Sequence, residues 1–133
     1  LNRQGVRIGT AEIYRVLNEI TEIEDGLIVN LELSGGRHYM PLFLKLKAGL
    51  TLEQGLIQAV VLALRSKCSP RHVPDDIFQV GDIPYTISGK KMEAPVKKIL
   101  LGMEIESSLN KDAMRNPESL QFFKSFEVPE ENR

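Results

Sequence analysis

The segment LIVNLELSGGRHYMPLFLKLK, residues 27–47, constrains the fold most strongly, because apolar residues alternate on both sides of a Ser-Gly-Gly-Arg turn. A period of two is typical of a β-strand with one buried face. We therefore predict strands over residues 27–33 and 38–47 that pair as an antiparallel hairpin. Pro41 lacks a backbone N–H and predicts an edge position for the second strand. The predicted buried faces are Leu27, Val29, Leu31 and Leu33, opposite Asn30 and Glu32, and then Met40, Leu42, Leu44 and Leu46.

Two helices are predicted before and after this hairpin along the chain. Thr10 is a suitable N-cap for a helix over residues 11–20, in which apolar residues recur at helical spacing. A capping box from Thr51 to Gln54 predicts the start of a second helix, which continues to about Lys67.

The remainder of the chain predicts further elements around the same sheet. IFQVGDI, residues 77–83, is typical of a short strand, and Pro95 suits the first turn of a third helix. Apolar residues between 120 and 126 predict a short last helix. We expect an α+β fold in which a small, mostly antiparallel sheet is flanked by three or more helices. The predicted buried stripe of the third helix is Val96, Ile99, Leu100 and Met103.

Composition limits the classes of function. The 133 residues suffice for one compact domain, and 17 basic against 18 acidic residues leave a net charge of −1. We therefore expect no general attraction to nucleic acid or to an anionic membrane. No apolar run approaches the roughly 20 residues that span a bilayer. The single cysteine, Cys68, cannot form an internal disulfide, which favours a reducing, cytosolic location.

We assign no metal site from the sequence. No paired array of cysteine and histidine of the zinc-finger type is present. Cys68 lies at a predicted helix end with no histidine directly beside it, and small thiols are commonly buried. His38 and His72 fall in a predicted strand and a predicted loop.

The segment PYTISGKKMEA places Lys90 and Lys91 directly after a Ser-Gly turn. A lysine at this position can bind a phosphate, but the spacing of a phosphate-binding P-loop is absent, because Pro84 and Lys91 occupy the positions that need glycine and serine or threonine. The two lysines could equally be a solvated pair on a loop. A second motif is therefore needed to choose between these interpretations.

That second motif is GVRIGTAEIYR near the start of the chain, in which Gly5 and Gly9 flank Arg7. Together with PYTISGKKMEA, about 85 residues later, it resembles the small C-terminal domain of the acyl-adenylate-forming superfamily. In that family a GxRIxxxEIE-like segment opens the domain, and a PxTxSGKxxR-like segment near its end carries the catalytic lysine. The resemblance covers roughly residues 1–102.

The resemblance implies a two-step reaction, in which ATP activates a carboxylate as an acyl-adenylate and the thiol of CoA then displaces AMP. It implies that Lys90 is catalytic in the first step and that Gly89 gives its turn conformational freedom. It also implies that Gly5 lies along the pantetheine tunnel of CoA and that Arg7 faces the adenylate phosphate. Arg65 matches the region that holds the CoA nucleotide in related enzymes, although a solvated cation at a helix end is equally open.

The resemblance also implies an organisation. Residues 1–133 would form a mobile C-terminal lid, with a strand and turn after the hinge over residues 1–9 and an extension over residues 104–133. Because the chain starts at Leu1 without an initiator methionine, we expect it to be part of a larger protein. Its partner would be its own N-terminal adenylation domain, which would also bind most of the Mg²⁺ that accompanies ATP.

One position departs from the family pattern, because Glu93 replaces the usual arginine three residues after the lysine. Glu93, the following APVKKILLG, SPRHVPDD and NPESLQFF are similar to the branch of the superfamily that activates acetoacetate. The resemblance thus implies acetoacetate as the substrate, although acyl specificity resides in the N-terminal domain. The alternative hypothesis is a non-catalytic α+β module that binds a phosphorylated partner through Lys90, Lys91, Lys97 and Lys98.

Overall fold

The structure is a computed structural model that describes residues 2–3, 6–103 and 113–129, with side chains from residue 8 onward. Within these residues the chain forms four α-helices and seven short strands, and no helix there is long and apolar enough to cross a membrane. The helices are α1 (Thr10–Asn18), α2 (Gln54–Lys67), α3 (Glu93–Leu100) and α4 (Leu120–Ser125). The strands are β1 (Asn2–Arg3), β2 (Val6–Arg7), β3 (Ile23–Ile28), β4 (Leu31–Glu32), β5 (His38–Tyr39), β6 (Pro41–Leu46) and β7 (Asp76–Gln79).

The main sheet has the order β3-β6-β7. β3 and β6 pair antiparallel, which confirms the predicted hairpin, and the short strands β4 and β5 extend it towards the turn. β7 pairs parallel to β6, so the sheet is mixed. The predicted α+β class is confirmed, with the refinement that one of the three strands runs parallel to its neighbour.

The predicted edge position of Pro41 is wrong, because β6 is the central strand of the sheet. Pro41 is the first residue of β6 and lies opposite Asp76 of β7. A proline at the start of a strand removes no hydrogen bond from the interior of the ladder, so the central position is compatible with its missing N–H.

The sheet is buried on both faces. Leu42, Leu44 and Leu46 of β6 pack with α1 and α2, whereas Phe43 of the same strand packs with α3 and α4. This arrangement explains why the alternation predicted for residues 27–33 fails at Leu27 and Ile28, neighbours in β3 that are both buried; Asn30, predicted on the polar face, is also buried but lies between β3 and β4. When helices cover both faces of a sheet, neighbouring strand residues can all be buried and the polar face disappears.

Three helices differ from the prediction at their boundaries. α1 covers Thr10–Asn18 with Gly9 at its N-cap, so the prediction of Thr10 as the N-cap of a helix over residues 11–20 is wrong.

α2 begins at Gln54 after Glu53, whose side chain does not cap the helix, so the Thr51–Gln54 capping box is wrong. The chain before α2 is held instead by Gln79 of β7: the backbone N–H of Leu52 donates to the Gln79 Oε1 at 2.8 Å.

α3 ends at Leu100, so its predicted stripe holds for Val96 and Leu100 but not for Met103, which is 54% exposed. Gly102 adopts φ +78° just beyond the helix. A positive φ at a glycine is a common way to end an α-helix, and it turns Met103 away from the buried face.

Phenylalanine rings join α4 to the sheet, as predicted for a short last helix. The ring centroid of Phe43 lies 4.9 Å from that of Phe123 and 5.3 Å from that of Phe126, both edge to face. Phe78 of β7 stacks on Phe43 at 5.7 Å and contacts Phe126 edge to face at 4.9 Å. The last described segment therefore belongs to the core, because its aromatic side chains complete this cluster.

We expect Phe123→Ala to lower the free energy of unfolding by about 3–5 kcal/mol, because it empties a fully packed position. Lys124→Ala, at the exposed neighbouring position of α4, is the matched control and should change it by no more than about 0.5 kcal/mol. Urea unfolding followed by circular dichroism measures both. Equal effects would contradict the docking of α4 through Phe123.

Candidate active site

Lys90 lies on a tight turn that is closed by two hydrogen bonds between Thr86 and Lys90. The Thr86 N–H donates to the Lys90 carbonyl oxygen at 2.9 Å, and the Lys90 N–H donates to the Thr86 Oγ1 at 3.0 Å. Gly89 adopts φ +91°, a conformation that L side chains rarely adopt. The predicted need for conformational freedom at Gly89 is therefore confirmed.

The side chains of the two consecutive lysines have different environments. The Lys91 ammonium donates to the Gly26 carbonyl oxygen at 2.6 Å and pairs with the Asp25 Oδ1 at 3.1 Å. It also lies 3.6 Å from the centroid of the Tyr14 ring. Lys90 is exposed, and among the described residues its ammonium has no carboxylate partner. The solvated-pair interpretation is thus wrong for Lys91, which anchors the turn that presents Lys90.

Asp25 receives a second bond from the same turn, because the Tyr85 hydroxyl donates to its Oδ2 at 2.6 Å. Only 24% of the Asp25 side chain and 16% of the Lys91 side chain are exposed. Charged hydrogen bonds with so little access to water are stronger than exposed pairs. Asp25 of β3 therefore holds the lysine turn through two side chains of that turn, Tyr85 and Lys91.

Tyr14 joins the two sequence motifs. It lies within GVRIGTAEIYR, and its hydroxyl donates to the carboxylate of Glu93, which lies within the lysine motif. The same hydroxyl accepts the Ile28 N–H at 3.2 Å. Glu93, which replaces the usual family arginine, thus has a structural partner here.

Burial raises the pKa of Tyr14 well above its ordinary value, and the hydrogen bond to Glu93 raises it further. Burial likewise raises the pKa of Tyr85, with the bond to Asp25 as the second cause. Both phenols are therefore protonated donors at neutral pH, which is the state that the carboxylates require.

The other side of the turn is held by residues 113–116. The Ile87 N–H donates to the Ala113 carbonyl oxygen and the Arg115 N–H to the Tyr85 carbonyl oxygen, both at 3.0 Å. The end of the Arg115 side chain lies beside Gly89, where a Cβ would come within 3.3 Å of its Nη2. The turn is thus held between β3 on one side and this later segment on the other.

Asn116 connects this segment to the chain before the turn. Its Nδ2 donates to Asp82 at 2.6 Å and to the Ile83 carbonyl oxygen at 2.7 Å, and its Oδ1 accepts the Tyr85 N–H at 3.0 Å. Burial alone would raise the pKa of Asp82, but hydrogen bonds from Asn116 and Lys45 outweigh it and lower that pKa. Asp82 is therefore an ionised acceptor that fixes Asn116 at the base of the Lys90 turn.

A cleft of about 220 Å³ lies where the two motifs meet. It is open to solvent and contains side chains from the start of α1, from β3 and from α3. The lining residues are Thr10, Ile28, Val29, Asn30, Glu93, Ala94 and Lys97.

The family comparisons give one consistent result. No family model matches the chain. Acetoacetyl-CoA synthetases do match it: those of Caenorhabditis elegans, Rattus norvegicus and Rhizobium meliloti are 44%, 39% and 39% identical over 129, 130 and 127 residues. The matches cover 96%, 98% and 96% of this chain. The chain is homologous to the C-terminal region of acetoacetyl-CoA synthetases.

The chain spans less than a fifth of these synthetases, since the matches cover 18%, 19% and 19% of their lengths. The solved acetoacetyl-CoA synthetase from Streptomyces lividans superposes with a TM-score of 0.82 at 36% identity, over 91% of this chain and 18% of that one. An acyl-CoA synthetase from Brucella canis shares the fold, with a TM-score of 0.58 at 23% identity over 65% of this chain and 16% of that one. The predicted relationship to the acetoacetate-activating branch is confirmed.

The other predicted site residues are less closely connected to the Lys90 turn. Gly5 lies outside the described residues. Arg7 belongs to β2 and pairs with Asn2 of β1 through the backbone; the side chain of Arg7 is not described. Arg65 is exposed in the last turn of α2, which packs on the opposite side of the sheet from α3. In the alternative set of four lysines, Lys91 and Lys97 are bound to carboxylates, with Lys97 3.2 Å from Glu32.

Sequence reasoning missed the residues that support the turn, namely Tyr14, Asp25, Tyr85 and Asn116. Tyr14 lies within the first motif, but the family resemblance implies no role for it. Its position beside the buried face of α1 was a usable signal, because it directs an aromatic ring with a polar end to the edge of the core. Asp25 and Asn116 carry no comparable signal, since their partners lie 66 and 34 residues away.

We expect Lys91→Met to lower the free energy of unfolding by about 1–3 kcal/mol, because it removes a charged hydrogen-bond donor and leaves the Asp25 carboxylate only partly satisfied. Lys98→Met is the control, since Lys98 is exposed and lies on the same segment. Chemical unfolding of the two variants measures the difference. A Lys91 variant as stable as the control would mean that the ion pair does not hold the turn.

The three tyrosines of the chain should ionise only when it unfolds. The pKa of Tyr39 is raised like those of Tyr14 and Tyr85, by burial and then by a hydrogen bond to Asp76. An unfolded phenol loses its proton near pH ~10, where the folded phenols keep theirs, so stability must fall as the pH rises above that value. In the 133-residue chain, tyrosinate absorbance and loss of circular dichroism should coincide. Tyrosinate absorbance in the folded chain near pH ~10 would contradict these environments.

Proposed function

We propose that this chain is the C-terminal domain of an ATP-dependent acetoacetate:CoA ligase and that Lys90 is its adenylation lysine. The observation that carries the proposal is the contrast within the lysine pair: Lys91 is anchored to Asp25, and Lys90 is exposed on the resulting rigid turn. Homology to acetoacetyl-CoA synthetases supports the reaction class.

Lys90 would act on the first half-reaction. Attack of the acetoacetate carboxylate on the α-phosphate of ATP brings two anions together, and an ammonium placed between their oxygens stabilises the transition state. Lysine suits this role because its long side chain reaches from a surface turn into a cleft of a neighbouring domain. The turn supplies the required rigidity, because its backbone is closed on Thr86 and its base is held by Asp25 and Asn116.

Two features beside Lys90 fit a site for phosphate. Arg115 adds a second positive charge next to Gly89. The charge of Lys91 is already balanced by the Asp25 carboxylate at 3.1 Å, and its ammonium lies over the Tyr14 ring, so it does not compete for the substrate. Lys90 and Arg115 are therefore the cations that the turn offers to an anionic ligand.

In the second half-reaction the domain would turn as a lid, so that Gly5 and Arg7 replace Lys90 next to the adenylate. A glycine at position 5 would let the backbone approach the pantetheine chain of CoA, because any Cβ would narrow the tunnel. The contact between Tyr14 and Glu93 supports movement of both motifs as one rigid unit. Arg65 would contact the nucleotide end of CoA, and Mg²⁺ would be bound with ATP by the N-terminal domain.

The test separates the two half-reactions in the complete ligase. Lys90→Ala should slow ATP–pyrophosphate exchange in the presence of acetoacetate by at least ~10²-fold, by analogy with the loss of an oxyanion donor. The same variant should convert supplied acetoacetyl-AMP and CoA to acetoacetyl-CoA at a rate near that of the wild type. Lys98→Ala, an exposed lysine of α3, is the matched control and should leave both rates unchanged.

Gly5→Leu should have the opposite effect, because its side chain would block the tunnel and leave the Lys90 turn intact. It should retain pyrophosphate exchange and lose thioester formation. If both variants lose both half-reactions equally, Lys90 and Gly5 act through folding or domain packing and the proposal is wrong.

A further inference from the structure

Three potential metal ligands converge on the opposite side of the sheet from the Lys90 turn. Glu12 lies in the first turn of α1, Cys68 is the C-cap that directly follows α2, and His72 lies in the next short 3₁₀ helix, Pro70–His72. One donor atom from each lies within 4.8 Å of the other two. We propose that Glu12, Cys68 and His72 form a binding site for a transition-metal cation of the Zn²⁺ class.

His72 is oriented for coordination. Its Nδ1 lies 2.7 Å from the Ser69 Oγ, and its Nε2 lies 3.0 Å from the Glu12 carboxylate. Only 14% of the His72 side chain is exposed. A hydrogen bond to one ring nitrogen that leaves the other facing an anionic ligand is the usual arrangement around histidine in metal sites. A cation between Nε2 and the Glu12 carboxylate would replace the hydrogen bond that joins them.

The backbone that carries Cys68 and His72 is held in place. The Cys68 N–H donates to the Leu64 carbonyl oxygen and the His72 N–H to the Ser69 carbonyl oxygen, both at 3.0 Å. Ser69 also caps this short helix, since its Oγ accepts the Arg71 N–H at 3.2 Å. Two of the three ligands thus come from one rigid corner, and only Glu12 crosses from α1.

The donor set selects the class of cation. Mg²⁺ and Ca²⁺ prefer oxygen ligands, whereas one thiolate, one imidazole and one carboxylate suit Zn²⁺ and its neighbours. Three protein ligands leave a fourth position for water. A cleft of about 440 Å³ that Glu12 and Cys68 line opens this position to solvent.

The charges around the site balance a divalent cation. The Cys68 thiol would release its proton to solvent when the cation binds. The resulting thiolate and Glu12 would supply two negative charges, and Glu19 in the same cleft is paired with Lys67. Arg15 is the opposing cation near Cys68. Binding would connect the first turn of α1 to the end of α2, in addition to the apolar contacts that already join these helices.

The experiment uses the complete ligase, stripped of metal with a chelator, and Co²⁺ as the probe. Wild type should show a thiolate-to-cobalt charge-transfer band in the near ultraviolet that Cys68→Ser abolishes. In competition with a chromophoric chelator, Ser69→Ala should weaken Zn²⁺ binding about 10-fold or more, because it removes the partner of His72 Nδ1. Glu12→Gln should also weaken binding. Glu19→Gln is the matched control and should not, because Glu19 lines the same cleft but is not one of the three proposed ligands.

A second measurement needs no variant: Zn²⁺ should protect the Cys68 thiol of the wild-type protein from alkylation, as read by peptide mass spectrometry. A cobalt spectrum without the Cys68-dependent band, or unchanged alkylation with Zn²⁺, would show that His72 and Glu12 form a hydrogen-bonded pair only. Neither readout involves ATP or CoA, so this outcome would leave the proposed ligase function unaffected.

Discussion

The bond network of the Lys91 ammonium is the interaction on which the candidate site depends. Lys91 reaches under its own turn to the Gly26 carbonyl oxygen and Asp25, and it lies against the Tyr14 ring. Gly26, which accepts the Lys91 bond, also leaves room for α1: a Cβ there would come within 2.8 Å of the Leu17 Cδ1. A side chain at position 26 would therefore require Leu17 of α1 to shift. The position of the lysine turn therefore depends on how α1 packs on β3, because Lys91 contacts residues of both elements.

The same network explains how two motifs can serve one domain from distant parts of the chain. Tyr14 of the first motif contacts Lys91 and donates to Glu93 of the second, 79 residues later. Removing either partner would leave a polar group with little access to water, which is more costly than losing a surface contact. A rigid connection of this kind suits a domain whose two motifs must be presented in turn to a neighbouring domain, as the proposed function requires.

The sequence predicted most helices and strands correctly, but it did not predict their burial or their position in the sheet. The hairpin, three of the helices and the α4 segment follow from apolar periodicity, because periodicity reports which face of an element is buried. It does not report which loops the fold buries, so the predicted exposure of Asn30 was wrong. The edge position predicted for Pro41 from its missing N–H was also wrong, because a proline at the start of a strand can lie in the centre of a sheet. The need for conformational freedom at Gly89 was implied by the family resemblance, and its positive φ agrees with it. The anchoring of Lys91 was not predicted, because its partner Asp25 is 66 residues distant.

By itself the sequence determined the class of fold, the relationship to acyl-adenylate-forming enzymes and the identity of the candidate lysine, because these depend on local periodicity and on residue types at fixed spacing. Only the tertiary structure decided which lysine is anchored and which is presented, what Glu93 binds, and that Cys68 and His72 meet Glu12. Such contacts depend on the relative placement of elements that the chain order separates. Short-range patterns carry no information on that placement, since it is set by the packing of both faces of the sheet at once.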